Sequence, residues 1–207
     1  LTRARRLVED GGHDCVEQGY LLVPVGLQRL AGGDHAAARA AYEDASRIAQ
    51  RFVDPDLAAL ARLGRGEALI VAGETAGAVA LFDEVMVAAT TGELSPTVAG
   101  IVYCAVVEAC QGICDLRRAR TWTAALTRWC ATQPDLVPFR GQCLVHRAEI
   151  LVLGGAWADA AEAAREACGR LAPAPQGEVE LPGHPAVAGA FYQLGELHRQ
   201  VGAVSTA

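Results

Sequence analysis

Five short segments built to one pattern divide this chain. Gly32-Gly33-Asp34, Ala72-Gly73-Glu74, Ile113-Cys114-Asp115, Gly154-Gly155-Ala156 and Val201-Gly202-Ala203 each follow an apolar run with helical spacing. In the first four an alanine stands five residues after the middle position, as Ala38, Ala78, Ala119 and Ala160. The middle positions 33, 73, 114, 155 and 202 recur at intervals of 40, 41, 41 and 47 residues, which marks one supersecondary unit repeated in tandem. The pattern predicts an all-α solenoid. The chemistry of a solenoid usually lies on the surface it presents to a partner, so the repeat points first to binding.

The helix after each turn carries the same apolar stripe, spaced i, i+3, i+4, i+7, i+11. It reads Ala38, Ala41, Tyr42, Ala45, Ala49 in the first unit and Ala78, Leu81, Phe82, Val85, Ala89 in the second. The third gives Ala119, Trp122, Thr123, Leu126, Cys130 and the fourth Ala160, Ala163, Ala164, Ala167, Leu171. The small residue opening each stripe suits a close crossing of antiparallel helices, where a larger side chain would force the backbones apart. The glycines at 33, 73, 155 and 202 can take the left-handed conformation that closes a helix, whereas Cys114 must close its turn otherwise or bear strain. Prolines 55, 96, 134 and 185 separate the units, and Ser95 before Pro96 is a good helix start. Pro24 is expected to kink the first helix or delay its start.

Composition narrows the function. All 18 basic residues are arginine, a bias expected of a GC-rich genome, and the missing lysine excludes a Walker A phosphate loop, a Schiff-base lysine and a kinase-type ATP lysine. A net charge of -6 argues against a grip on nucleic-acid backbones. Charged residues interrupt every apolar run before it could cross a bilayer, so no membrane partner is expected. Seven scattered cysteines fit a reducing, cytoplasmic compartment. Cys110 and Cys114 could share a soft metal, but small apolar packing is the favoured reading, and neither metal nor cofactor is expected.

Catalytic constellations are not found. Ser46, Ser95 and Ser205 stand in no Gly-x-Ser-x-Gly elbow, and the five histidines show no zinc-ligand spacing. His146 and Glu149 form a helical i, i+3 pair, more typical of a surface or groove contact than of an acid-base couple. The chain reads as a non-enzyme.

Phe191, Leu194, Gly195, His198 and Gly202 in the fifth unit, with Gly66, Ala68, Leu69, Gly73, Ala78 and Phe82 in the second, resemble the tetratricopeptide repeat. Arg65 and Arg147 depart from it, standing where that family usually has a buried leucine. The resemblance implies a right-handed superhelical array of helix-turn-helix units. The longer period is similar to the array of large bacterial LuxR-type or maltose-activator-like transcriptional regulators, in which an ATPase module precedes the array and a DNA reader follows it. The segment 1–207 is then a single solenoid: 1–14 the second helix of a preceding repeat, 17–53, 55–93, 95–133 and 136–172 full repeats, and 185–204 a truncated last one. The start, without a Met or a secretory signal, leads us to expect a piece of a longer protein whose exposed repeat ends favour a homodimer. The Pro- and Gly-rich stretch 173–185 is expected to be a loop.

The family's register puts Glu67, Glu108, Glu149 and Glu196 at one position of four successive first helices, with Leu27 in the matching place of the first unit. In tetratricopeptide arrays that position faces the concave groove, so the resemblance implies an acidic ladder favouring a cationic guest. The same register adds Tyr20, Leu63, Ile70, Cys104, Gln111, Val145 and Tyr192 to the groove. The competing reading is that Arg62, Arg65 and Arg147 neutralise the ladder, or that the glutamates are simply solvated. The expected function is non-catalytic binding of a protein, peptide or small inducer by one segment of a cytoplasmic transcriptional regulator. The alternative is a constitutive scaffold or dimerisation module without a small ligand.

Overall fold

The computed structural model describes residues 14–132 and 137–171, with side chains described except at 137–143 and 170–171. The described residues form eight α-helices and no strand: α1 Glu17–Ala31, α2 His35–Phe52, α3 Pro55–Val71, α4 Thr75–Thr91, α5 Pro96–Gly112, α6 Leu116–Ala131, α7 Val137–Leu153 and α8 Trp157–Leu171. Residues 1–13 of the expected helix of 1–14, the stretch 173–185 and the repeat of 185–204 lie outside them. The chain divides into two compact units, Leu1–Ala109 and Cys110–Ala207, with the boundary inside α5.

In the first unit α1 packs on α2, α2 on α3 and α3 on α4, and α1 also touches α3 directly. Short connections make sequence neighbours antiparallel, while the α1–α3 contact sets the first helices of two successive hairpins side by side. In the second unit α6 packs on α7 and α7 on α8. The apolar stripes supply the core. The alanines that open them, Ala38, Ala78, Ala119 and Ala160, are all 0 % exposed. Tyr42, Phe82, Val85 and Leu126 are buried below them, while Leu81 and Trp122 are half-buried.

The turns repeat atom for atom. In each, the amide of the third turn residue donates to a carbonyl five residues back: Asp34 to Arg29 at 2.9 Å, Glu74 to Leu69 at 2.8 Å, Asp115 to Cys110 at 2.9 Å and Ala156 to Leu151 at 2.9 Å. This Schellman closure needs a left-handed residue before the donor. Gly33, Gly73 and Gly155 provide it, and Cys114 adopts it as well, with φ of 60°. Of the two outcomes open to a non-glycine there, the chain takes the strained one. The residue after the left-handed position then starts the next helix, the Asp34 carboxylate accepting from Ala37 N and Asp115 from Arg118 N, both at 3.1 Å.

Between hairpins Asp54 caps α3, accepting from Leu57 N at 2.8 Å ahead of Pro55 at the helix start. Ser95 plays the same part for α5 before Pro96, its hydroxyl accepting from Val98 N at 3.4 Å. Val53, left-handed at φ 53° and largely exposed, is a β-branched residue where glycine is usual. Pro24 does not delay α1, which begins at Glu17 and runs through it.

Candidate binding face of the first helices

Glu67 lies on α3, Glu108 on α5 and Glu149 on α7. Glu67 is half-buried and has no hydrogen-bond or ion-pair partner among the described residues. Burial first, and then repulsion from the Glu108 carboxylate, push its carboxyl above the usual range. Arg62 does not relieve it, because its Nε pairs with Glu84 Oε2 at 3.2 Å. Arg65 is half-buried and stands two residues before Glu67, a spacing that sends the two side chains to different sides of a helix. Glu108 is exposed.

Glu149 has company. Gln111 Nε2 donates to its Oε2 at 3.1 Å, and His146 Nδ1 lies 3.5 Å from the same oxygen. His146 is 1 % exposed, so this helical pair is a packing contact. Gln111 and Glu149, two of the sequence-predicted groove residues, are thereby joined across α5 and α7.

The other predicted positions divide by burial. Leu63 and Val145 are buried and belong to the packing, whereas Ile70 and Cys104 are half-buried. Tyr20 fastens α1 to the start of α3: its hydroxyl donates to Asp54 Oδ1 at 3.0 Å, the oxygen that also caps that helix. Burial, then the bond to Asp54, raise the Tyr20 phenol far above its ordinary value. Tyr192 and Glu196 lie outside the described residues. Arg147 is exposed.

Sequence reasoning missed Tyr42 as a polar residue. It entered only as a member of an apolar stripe. The structure seats its ring against two helical glycines, and a Cβ at Gly26 would lie 2.6 Å from Tyr42 Cε1 and Cζ, while one at Gly64 would overlap the same atoms. Gly66 receives the Phe82 ring in the same way. The signal was present in Gly64-Arg65-Gly66, since two glycines inside a helical pattern cost stability and imply a packing reason. The Tyr42 phenol is raised far above its ordinary value, by burial and then by the charge of Glu67.

An open depression of about 410 Å³ lined by Ala49, Gln50, Val53, Asp54, Pro55 and Ala58 lies at the α2–α3 connection. It includes none of the predicted groove residues. Among the described residues no cluster of three or more His, Cys, Asp or Glu could hold a metal ion, and Cys110 is buried while Cys114 is exposed. No helix of the described residues is long and apolar enough to cross a membrane.

Stacked hairpins closed by one repeated turn define a helical-repeat fold. That fold is similar to the crystal structure of BtubC (BKLC) from P. vanneervenii, with a TM-score of 0.71 and 17% identity over 97% of this chain and 80% of that one. At this identity the likeness speaks to fold alone. No known family profile matches the chain, and no curated protein matches it in sequence.

Proposed function

We propose that this chain is a tetratricopeptide-like, right-handed superhelical array with a period of 40 to 41 residues, acting as a non-catalytic binding segment of a larger cytoplasmic transcriptional regulator of the LuxR or maltose-activator kind. Its first helices line a concave groove that takes a protein, peptide or small inducer with a positive end. Occupancy of the groove changes how the array contacts the rest of the parent protein.

One observation carries the binding part of this reading: Glu67 is half-buried, lacks a counter-charge and is pressed by a second carboxylate at the same register of the next first helix. Folded chains normally pair a partly buried acid. Two like charges about 10 Å apart repel by only ~0.4 kcal/mol in water but by ~1.7 kcal/mol at an effective dielectric near 20, so a bound cation relieves a real cost. The direct α1–α3 contact supports the superhelical part, because parallel first helices of successive units touch in that geometry.

The test is titration with a library of positively charged peptides. Salt-sensitive binding that Glu108→Gln and Glu149→Gln weaken supports a receptor. Dimers in solution that bind no peptide favour the scaffold alternative. The regulator assignment is tested by the flanking reading frame, where a phosphate-loop ATPase upstream and a helix-turn-helix downstream are expected.

A further inference from the structure

Exposed arginines fare differently in the two units. In the first, Arg29, Arg39, Arg47 and Arg51 pair with Asp34, Glu43, Asp44 and Asp14 in turn. In the second, Arg117, Arg120 and Arg128 of α6 are exposed and form no hydrogen bond or ion pair among the described residues. The remaining arginine of that helix, Arg118, is engaged, its Nη1 donating to Asp115 Oδ2 at 2.7 Å. The helix itself holds no acidic residue.

Helical spacing gathers these charges on one face. Arg117, Thr121, Ala124 and Arg128 stand at i, i+4, i+7 and i+11, a single row of exposed residues ~16 Å long at 1.5 Å per residue. Arg120 flanks the row and lies against the α7–α8 turn, where a Cβ on Gly154 would come within 2.9 Å of its Nη2. Local rules speak against the arrangement. Arg117 occupies the first turn, where the helix dipole favours acids. Arg117 and Arg120 are spaced i, i+3, at which like charges repel. Residues that weaken their own helix, in a chain of net charge -6, point to a task outside it.

We propose that the exposed face of α6 docks an acidic helical peptide of a partner protein, its carboxylates on Arg117, Arg120 and Arg128 and its backbone over Thr121 and Ala124. The floor selects a helix: two small side chains between the arginines let a second helix approach closely, and carboxylates two to three turns apart on it reach both ends of the row. Guanidinium groups take carboxylates in a bidentate fork, which fixes the guest's register. Three guanidiniums on an acidic chain make no continuous track for a nucleic-acid backbone, and the row has no large apolar side chain to enter a membrane. The inference is independent of the groove reading, which concerns the first helices and a cationic guest.

Anisotropy titration of the full chain with a labelled alanine-based helical peptide bearing one row of glutamates tests the proposal. A proline-interrupted peptide of the same composition and a DNA oligonucleotide serve as comparators. We expect saturable, salt-sensitive binding, at least tenfold weaker in the double variant Arg117→Gln, Arg128→Gln. Ala124→Trp, which raises the floor without changing charge, should weaken it several-fold. Arg117→Gln should melt at or above the parent temperature, because it removes a cation from the first turn, so its weaker binding would not stem from lost folding. Absence of binding, or undiminished binding in the double variant or in Ala124→Trp, overturns the site. So does equal weakening by Arg165→Gln on α8, which would indicate diffuse charge attraction, or equal affinity for the interrupted peptide or the DNA. Self-association at low salt that the double variant abolishes, with no peptide bound, would assign the face to a second copy of this chain and overturn the partner proposed.

Discussion

Glu67 and Glu149 hold the same place in two repeats and live in different surroundings. Glu149 accepts an amide hydrogen bond from Gln111 and lies within ion-pair reach of His146. Glu67 has a repelling carboxylate, a phenol that does not bond to it and no cation. Position along a repeat decides where a carboxylate goes. The neighbours it meets there decide whether it is satisfied, and the unsatisfied one is where a ligand gains most.

The contrast can be broken most severely at the seat of Tyr42. Gly64→Ala gains about 1 kcal/mol of helix propensity but drives a methyl into an enclosed ring, for a net loss of about 2 kcal/mol in denaturant unfolding. Gly169→Ala on α8, where a Cβ meets nothing within 4 Å, should instead stabilise. Equal effects of the two would mean that the pinch around Tyr42 is relaxed in solution.

Removing the amide in Gln111→Ala takes one hydrogen bond from Glu149 while leaving the His146 contact, at a cost of roughly 1 to 2 kcal/mol for a charge-assisted bond lost in a half-buried place. Glu67→Gln should act in the opposite direction, raising the thermal midpoint at neutral pH by a few degrees, on the order of 1 kcal/mol. The pH dependence fixes the sign. Because the folded state raises the Glu67 carboxyl, it binds that proton more tightly than the unfolded chain does, whose glutamates titrate near ~4.3. The Glu67 contribution is therefore most favourable below that value and is lost as pH rises through the folded pKa. Glu67→Gln should flatten this decline in a series of melts from acid to neutral pH, and an unchanged slope would remove Glu67 as its source.

The smallest effect is expected at the turn that ends the helix carrying Gln111. Cys114→Gly relieves about 1 to 2 kcal/mol of left-handed strain and costs about 0.5 to 1 kcal/mol in chain entropy, leaving a gain near 0.5 kcal/mol. A loss on melting would show that the exposed thiol contributes something the turn geometry does not reveal.

Much of the fold was legible in the residues. The stripes from Ala38, Ala78, Ala119 and Ala160 and the turns at 33, 73, 114 and 155 follow from helical periodicity and the left-handed requirement of a Schellman closure, both local rules. Tyr42 was not legible, because its position inside an apolar stripe says nothing of which backbone its hydroxyl end passes. The partnership of Gln111 with Glu149 joins residues 38 apart in sequence, a contact that periodicity places near but cannot pair. The pairing of Arg62 with Glu84 on the next helix was likewise decided by packing between helices.

By itself, then, the sequence determined the helices, their ends and their buried faces, since each depends on residues within a few turns of one another. Tertiary structure decided which polar groups found partners. That outcome depends on distances of a few ångströms between separate helices, and desolvation makes each one matter.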